Sequence, residues 1–316
     1  MIRGEVKVMV KIHMMKAYEG DFIWLSYGDI EKEYHILIDG GVKDCGERYA
    51  DVIRFISVKG ETIEAIILTH IDCDHIAGAC EGLAKVDAKV LQGTVKKIVF
   101  NTSEKIYKEI LVSKNSGGYG VKEGIEFWTK LKEKGIVDRI IERTIAGDII
   151  SLANGALLKV ISPGEEQLKK LLDKWETYEK EHTPVAYSPN LEQVKKNLDD
   201  LMRVRTKTDG SVNNASSIAF LFEYQDIKGA FLGDSKPSVC IEGLKKFNIK
   251  DVYSLDFIKL SHHGSISNTN LKLLKKLSTV NYLLSTNGHE KKVPSKVIIA
   301  KLLRNCQEEN KTETIL

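Results

Sequence analysis

The segment Thr69-His70-Ile71-Asp72-Cys73-Asp74-His75 decides the predicted fold, and the apolar run Ala65-Ile66-Ile67-Leu68 leads directly into it. The apolar run has the length and composition of a buried strand. Directly after it, imidazoles and carboxylates are crowded together, and burying them is costly unless a cation compensates their charge. Imidazole and carboxylate ligands together suit zinc, manganese or iron. The segment therefore predicts a metal site at the end of a strand; the alternative is a solvated acidic turn.

Two later strands of the predicted fold end in residues of the same kind. The run Phe231-Leu232-Gly233-Asp234 ends in a carboxylate, and Ile258-Lys259-Leu260-Ser261-His262-His263-Gly264-Ser265 ends in paired histidines. Sites of α/β proteins usually lie at the C-terminal ends of strands. We therefore expect three strand ends to meet at one edge of the molecule.

Composition bounds the class of protein. The chain has 316 residues, 42% hydrophobic and 29% charged, which is typical of a folded globular protein. A net charge of +3 predicts no strong global attraction to nucleic acid or to an anionic membrane. The five cysteines are scattered and form no C-x-x-C pair, which argues against a disulfide framework or a thiolate zinc site. With no signal-like or membrane-spanning apolar run, we expect a cytoplasmic protein without membrane contact.

The pattern of elements predicts an α/β fold of the αββα type. Strands are expected at Val6-Met15, Phe22-Tyr27, Tyr34-Ile38, Ala65-Leu68, Lys97-Phe100, Ile149-Leu152, Ala156-Ile161, Ser217-Tyr224, Ile227-Leu232, Phe257-Leu260 and Tyr282-Ser285. Helices are expected at Glu47-Val58, Val121-Lys134, Glu165-Lys180, Leu191-Val204, Pro237-Phe247, Asn270-Leu277 and Ser295-Leu303. Two strand-rich halves, each followed by helices, indicate two sheets packed face to face with helices outside. Residues 1–316 are expected to form a single domain with a helical insertion at about 164–211.

A series of short motifs, in their order along the chain, resembles the motifs of the metallo-β-lactamase superfamily. The finer pattern is similar to the hydrolase domain of ComEC-type DNA-uptake proteins and their free-standing relatives. The motifs that carry the resemblance are Glu19-Gly20-Asp21, Leu37-Ile38-Asp39-Gly40-Gly41, the H-x-D-x-D-H cluster, Asn214-x-x-Ser217, Phe231-Leu232-Gly233-Asp234, Ser261-His262-His263-Gly264-Ser265 and Ser285-x-Asn287 followed by Pro294-Ser295.

The resemblance implies a site for two divalent metal ions. The implied ligands, matched position by position, are His70, Asp72, Asp74, His75, Asp234 and His262. Asp74, His75 and His262 would hold one ion, Asp234 would bridge to the second, and His70 and Asp72 would complete the second position. Because an aspartate stands at position 72 where relatives often have histidine, manganese is a rival to zinc.

Further roles concern residues beside the implied ligands. Asp39 would orient a metal ligand or, equally, cap the following Gly-Gly turn. We expect His263 to lie on an extended backbone and to point away from His262, with either a substrate-facing or proton-donating role or a simple packing role. Asn214, Lys259 and Ser265 are candidates for binding a phosphate, although each is more often a surface or turn residue.

One position departs from the superfamily pattern. Where many relatives carry a further histidine, this chain has Ser162-Pro163-Gly164-Glu165. Glu165 or water would have to replace that ligand, and an ordinary residue in the first turn of a helix is the favoured alternative for Glu165. The sequence is therefore compatible with either one or two bound metal ions.

The function expected is that of a metal-dependent hydrolase, with Asp74 and His263 as catalytic candidates. Aspartate at position 72 and the H-H-G-S segment favour phosphodiester cleavage, in which two cations activate a shared hydroxide and neutralise the phosphate oxygens. The substrate would be a nucleic acid or a nucleotide. A lactone, thioester or β-lactam hydrolase and a catalytically silent binding scaffold remain alternatives. The insertion at 164–211 would cover the site or form a dimer contact.

Overall fold

The chain folds into two large sheets, seen in a computed structural model that describes residues 8–101, 121–177, 200–201, 203–204, 209–288, 293–308 and 314–315. The first sheet has the order β1-β2-β3-β4-β5-β6, antiparallel up to β3 and parallel from there. Its strands are β1 (Met9–Met14), β2 (Ile23–Gly28), β3 (Glu33–Ile38), β4 (Thr62–Ile67), β5 (Ile98–Val99) and β6 (Ile140–Ile141).

The second half of the chain repeats this arrangement. Its strands are β7 (Ile149–Ser151), β8 (Leu157–Ser162), β9 (Ala219–Tyr224), β10 (Ile227–Phe231), β11 (Tyr253–Ser254), β12 (Phe257–Lys259), β13 (Leu277–Ser278), β14 (Asn281–Leu283) and β15 (Thr314–Ile315). The second sheet has the order β15-β14-β12-β10-β9-β8-β7, antiparallel from β7 to β10 and parallel from β10 to β15. Strands β11 and β13 form a separate parallel pair.

Helices cover the outer faces of both sheets. They are α1 (Gly46–Val58), α2 (Cys73–Lys85), α3 (Ala88–Thr94), α4 (Val121–Glu133), α5 (Glu165–Thr177), α6 (Val212–Ala215), α7 (Pro237–Lys246), α8 (Leu271–Lys276) and α9 (Lys296–Glu308). The predicted αββα architecture is confirmed. Among the described residues, the three largest apolar clusters lie between the sheets and between each sheet and its helices.

Alternation along the strands explains the layers. Ile36 and Ile38 of β3 lie in the core between the sheets, whereas Leu37 packs into the layer under the helices. In β9, Phe220 and Phe222 face the first sheet and Leu221 faces the helices of the second half. Successive side chains of a strand point to opposite faces, so a strand that is apolar on both faces belongs in the middle of a four-layer structure.

The main difference from the expected elements is helix α2. The prediction had no helix after the metal-binding segment, but α2 begins at Cys73 and so includes Asp74 and His75 in its first turn. The helix contains Gly78 and Gly82, which weaken its helical signal in the sequence. Gly78 is required there because a Cβ would lie 2.0 Å from the carbonyl oxygen of Gly40.

The structure describes only part of the segment predicted to be an insertion. Helix α5 occupies its start, while residues 178–199, which include most of the second predicted helix of the insertion, lie outside the described residues. The single domain with an insertion at about 164–211 therefore stays a prediction. Among the helices of the described chain, none combines the length and apolarity needed to cross a membrane.

Candidate metal centre

The ends of four strands converge where the two sheets meet. Asp39 follows β3, His70 follows β4, Asp234 follows β10 and His262 follows β12. One backbone hydrogen bond links the two sheets here, from Ile218 N, before β9, to the carbonyl oxygen of Thr69, after β4, at 2.8 Å. Within the second sheet, His262 N donates to the carbonyl oxygen of Gly233 at 2.9 Å. The predicted meeting of distant strand ends is therefore present in the structure.

The first group of facing ligand atoms comprises Asp74, His75 and His263. Nε2 of His75 lies 3.7 Å and Nε2 of His263 lies 3.8 Å from Oδ2 of Asp74. All three residues are buried. Atoms bonded to one ion at about 2.0–2.2 Å lie about 3–4 Å from each other, so these separations suit a shared cation.

The second group is built around Asp234. Its Oδ2 lies 3.8 Å from Nε2 of His70 and 3.6 Å from Nε2 of His262. Asp72 approaches His70, with 3.5 Å between Oδ2 and Nε2. The other oxygen of Asp234, Oδ1, lies 3.6 Å from Nε2 of His75 in the first group. One carboxylate thus spans both groups.

Each imidazole is fixed from behind through Nδ1. His75 donates to Oδ2 of Asp39 at 2.8 Å, and His263 donates to the carbonyl oxygen of Ser285 at 2.8 Å. The Nδ1 atom of His262 donates to Oδ1 of Asn268 at 2.9 Å. These acceptors set the tautomer, so the unprotonated Nε2 of each ring faces the centre.

His70 is held in the same way through a hydroxyl group. Its Nδ1 lies 3.0 Å from Oγ1 of Thr69, and that hydroxyl donates its own proton to Asp39 at 2.7 Å. Asp39 also accepts from the backbone N–H of Thr69 at 2.8 Å. A single carboxylate therefore orients His75 directly and His70 through Thr69.

The facing atoms lack hydrogen-bond partners, which tests whether a metal fits. Nε2 of His70, His75 and His263 and Oδ1 of Asp234 are buried without such partners. Buried polar atoms are nearly always satisfied, and here four unsatisfied ones point toward one another. A set of imidazole nitrogens and carboxylate oxygens in this state fits zinc or manganese.

The electrostatics of the centre favour positive charge. Burial alone would lower the pKa of His70, but the carboxylates of Asp72 and Asp234 outweigh it and raise that pKa to about 9. Burial would raise the pKa of Asp234, yet the surrounding histidines hold it well below its usual range. The same field that holds protons on the imidazoles would hold divalent cations in their place.

The backbone at the paired histidines differs from the prediction. His262 and His263 both have left-handed backbone angles, with φ of 48° and 54°, rather than an extended backbone. The turn brings both rings to the centre, so the expectation that they point to opposite sides is wrong. His263 joins Asp74 and His75, the place expected for His262, whereas His262 lies beside Asp234.

The structure does not support the substrate-facing role of His263. The residue is fully buried, and its Nδ1 proton is already donated to a carbonyl group. His262 is the more accessible ring, with 22% of its side chain exposed. Packing within the ligand group therefore accounts for the position of His263.

The three candidate phosphate-binding residues lie in different settings. Lys259 is buried and paired with Asp21. It is therefore not accessible to a substrate, contrary to its predicted role in binding a phosphate. Asn214 is buried too, and its Nδ2 donates to Asp209 at 2.6 Å. Ser265 is half-buried and accepts a hydrogen bond from Ser267 N in the turn after the histidines.

Two further predictions concern residues beside the motif. Glu165 is exposed and pairs with Arg143 at 2.7 Å, so it does not replace the missing histidine. For Cys73, which lies between two ligand candidates, the sequence favours a small buried side chain over a ligand, but the side chain is exposed on the first turn of α2. Neither side chain is a member of the two ligand groups.

Several residues of the centre were missed from the sequence. Asn213 donates to Oδ1 of Asp72, and Asn268 contacts His262, Asp209 and the backbone oxygen of Asp234. Asp21 faces His263. The Glu19-Gly20-Asp21 and Asn214-x-x-Ser217 motifs marked two of these places, but nothing in the local sequence marked Asn268.

The family comparison agrees with the site. Residues 29–133 match the family model of the metallo-β-lactamase superfamily, so this part of the chain resembles a domain of that superfamily. The matched range includes Asp39 and the segment from His70 to His75. Asp234 and the paired histidines lie outside it. No curated protein matches the chain.

Solved structures show only distant likeness. A mutant of the CmlA β-hydroxylase has 13% identity and a TM-score of 0.46, covering 97% of this chain and 52% of its own. A metallo-β-lactamase from Staphylococcus aureus subsp. aureus COL has 15% identity and a TM-score of 0.38, covering 85% and 59%. A diphosphatase from the PhnP family has 15% identity and a TM-score of 0.39, covering 84% and 73%. The chain thus spans about half the length of the first and 59% of the second, and none of these likenesses bears on its reaction.

Proposed function

We propose that the chain is a phosphodiesterase or nuclease that hydrolyses phosphodiester bonds with two divalent metal ions, zinc or manganese. The observation that carries this proposal is the position of Asp234. Its Oδ1 faces His75 of the first group and its Oδ2 faces His70 and His262 of the second, at 3.6 to 3.8 Å. A carboxylate shared by two ligand groups is the arrangement that a dinuclear centre needs.

The ligand groups favour a charged phosphate substrate. Asp74 and Asp234 are buried and Asp72 is half-buried, so the centre is richer in carboxylates than a site of histidines alone. Two cations bound there would supply an activated water and neutralise the charge that develops on the phosphate oxygens. Hard oxygen ligands also favour manganese as a rival to zinc.

The residues of the chain set the direction from which a substrate approaches. Asp72 and His262 are the more exposed ligand candidates, with 34% and 22% of their side chains accessible, whereas His70, His75 and His263 have none. Asn213 and Asn268 hold these two outer side chains in place. We therefore infer that the phosphate enters beside Asp72 and His262, while the buried imidazoles would hold the cations.

The substrate class within the phosphodiesters is part of the proposal. The similarity of the motifs to ComEC-type hydrolase domains supports a nucleic acid. An extended basic surface for nucleic acid is not favoured, because Lys170 pairs with Glu166 and Lys245 pairs with Glu242, as is usual for solvated helix faces. A nucleotide is therefore the other substrate to compare.

Metal analysis and a substrate comparison test the proposal. The purified chain should contain or take up two divalent ions and hydrolyse bis-p-nitrophenyl phosphate, with little turnover of nitrocefin or a thioester. Asp234→Asn should abolish this activity, whereas the control Asp87→Asn should keep it, because Asp87 only caps α3 and asparagine caps helices equally well. Turnover of nitrocefin or the thioester alone would establish the alternative class, and a chain that takes up no ion would exclude the enzyme.

A further inference from the structure

Lys259 is a fully buried lysine beside the metal centre. It ends strand β12 and has 1% of its surface exposed, as has its partner Asp21. Lysine and aspartate are almost never fully buried unless paired. Here the ammonium group of Lys259 donates to Oδ2 of Asp21, so the two charges compensate each other.

The second oxygen of Asp21 faces a ligand candidate. Oδ1 of Asp21 lies 3.4 Å from Nδ1 of His263 and has no hydrogen-bond partner of its own. The Nδ1 proton of His263 is donated to the carbonyl oxygen of Ser285. Asp21 therefore places negative charge behind the ring, on the side opposite to the Nε2 atom that faces Asp74.

A related arrangement lies behind the other imidazole of the first ligand group. Asp39 accepts the Nδ1 proton of His75 at 2.8 Å, whereas Asp21 lies 3.4 Å from Nδ1 of His263 without a hydrogen bond, and the Nε2 atoms of both rings face Asp74. The two carboxylates are held differently, because Thr69 donates to Asp39 and Lys259 donates to Asp21. A carboxylate behind a ligating imidazole fixes the ring and raises its basicity.

Lys259 also has an effect on where a cation is bound. Asp21, Asp39 and His75 offer ligand atoms that all lie within 4.8 Å of one another. Such a group would attract a divalent ion if its charge were not compensated. The ammonium group of Lys259 supplies a fixed positive charge to Asp21 and so disfavours this position.

The loop that carries Asp21 is packed tightly onto the centre. A Cβ on Gly20 would lie 1.6 Å from the carbonyl oxygen of Asp74. Ser285 Oγ donates to the backbone carbonyl oxygen of Gly20 at 2.8 Å. The N–H of Gly41 donates to the backbone carbonyl oxygen of Asp21 at 2.7 Å. The position of Asp21 is therefore fixed relative to Asp74 and His263.

We propose that Lys259 and Asp21 are positioning residues for the cation held by Asp74, His75 and His263. Lys259 holds Asp21 with one oxygen toward His263, and Asp21 adds negative charge behind this ring, which Ser285 already orients toward Asp74. This inference rests on the proposed function only in that a divalent ion occupies the first ligand group.

The test compares cation binding in matched variants of the full chain. Mn²⁺ or Zn²⁺ is titrated into metal-free wild type, Lys259→Met, Asp21→Asn, the double variant of both, and the control Lys159→Met. The control removes a lysine paired with Glu223 at 2.7 Å in the same sheet. We expect one of the two binding steps to weaken about 10- to 100-fold in both single variants and in the double variant, with both steps unchanged in the control.

The double variant separates positioning from stability. It leaves no unpaired buried charge, so it keeps the chain folded if either single variant unfolds. Wild-type binding in the double variant would overturn the proposal and leave the pair a purely structural one, as would wild-type binding in both single variants. Weakened binding in a chain that hydrolyses no diester would sustain the positioning role and refute the proposed function. A wild type that binds no ion would overturn both.

Discussion

Oδ2 of Asp39 lies 2.8 Å from Nδ1 of His75, and Asp39 reaches this place from a left-handed backbone with φ of 53°. A residue other than glycine is uncommon in that conformation, although aspartate tolerates it better than most. The turn directs the carboxylate back toward the end of β4, where it also accepts from the N–H and the hydroxyl group of Thr69. The Asp39 carboxylate therefore acts only as an acceptor, with three donors from His75 and Thr69.

Asp39→Asn should weaken the metal centre without removing any ligand. An amide group offers N–H donors where His75 and Thr69 also donate, so one contact becomes repulsive and the imidazole loses its fixed tautomer. We expect a 10- to 100-fold loss of cation affinity or of diester hydrolysis, measured by metal titration and by turnover. Asp87→Asn is the matched control. Unchanged binding in Asp39→Asn would refute the orienting role.

Removing the metal should destabilise the fold. Asp234, His70, His75 and His263 are buried, and Oδ1 of Asp234 and the three Nε2 atoms lack hydrogen-bond partners without cations. Ions that bind only the folded chain stabilise it by about 2.7 kcal/mol at a free concentration about 100 times Kd. Thermal unfolding with a chelator and after adding Mn²⁺ or Zn²⁺ back should show this gain. An equal Tm in both conditions would contradict a bound ion.

The fold was predictable because strand and helix signals are local. Ile36, Leu37 and Ile38 form an apolar run that requires burial on both faces, which places β3 inside a layered structure. Helix α2 was not predictable in the same way. Asp74 and His75 lie in its first turn, and the close approach of Gly78 to Gly40, visible only in three dimensions, explains the glycine that weakens its signal.

The ligand candidates were predictable in kind but not in grouping. Their residue types and their places after strands are visible in the sequence, whereas which ring faces which carboxylate depends on the backbone turn at residues 262 and 263. The burial of Lys259 was hidden for a similar reason. Its partner Asp21 is 238 positions away in the chain, so no local pattern joins the two.

Gly20→Ala should disturb the centre through a backbone contact. The new Cβ would lie 1.6 Å from the carbonyl oxygen of Asp74, so the loop or the first turn of α2 must move. We expect a loss of about 1–3 kcal/mol in the free energy of unfolding, together with weaker cation binding. Denaturant unfolding and metal titration measure the two effects.

Gly93→Ala is the control for that substitution. Gly93 lies within α3, and a Cβ there meets nothing within 4 Å. Alanine in a helix is favoured over glycine by roughly 0.5–1 kcal/mol, so this variant should be slightly more stable. Destabilisation of both variants to the same extent would show that the contact with Asp74 is not the cause.

His35 should make the stability of the fold depend on pH. The ring is fully buried, accepts from Nε1 of Trp24 and donates to Glu61, and burial lowers its pKa below 6.5 despite the neighbouring carboxylate. As the pH falls below 6.5, the unfolded chain takes up a proton at His35 that the folded chain resists. The free energy of unfolding should therefore decrease toward acid pH.

The variant His35→Gln isolates this contribution. Urea unfolding of the metal-free wild type and variant at about pH 7.5 and about pH 5.5, on either side of the usual histidine pKa, should show a smaller pH-dependent loss in the variant. His13→Gln, which removes a different histidine stacked on Trp24, is the control. Identical pH dependence in wild type and His35→Gln would contradict the burial effect.

The two adjacent histidines should act in different cation positions. His263 faces Asp74 at 3.8 Å, and His262 faces Asp234 at 3.6 Å beside His70. Two substitutions in one ligand group weaken the same binding step and are therefore not additive, whereas substitutions in separate groups add. His263→Ala should accordingly be non-additive with Asp74→Asn but additive with Asp72→Asn, measured from the two steps of a metal titration. His262→Ala should show the reverse, and non-additivity of His262→Ala with Asp74→Asn would restore the grouping expected from the sequence.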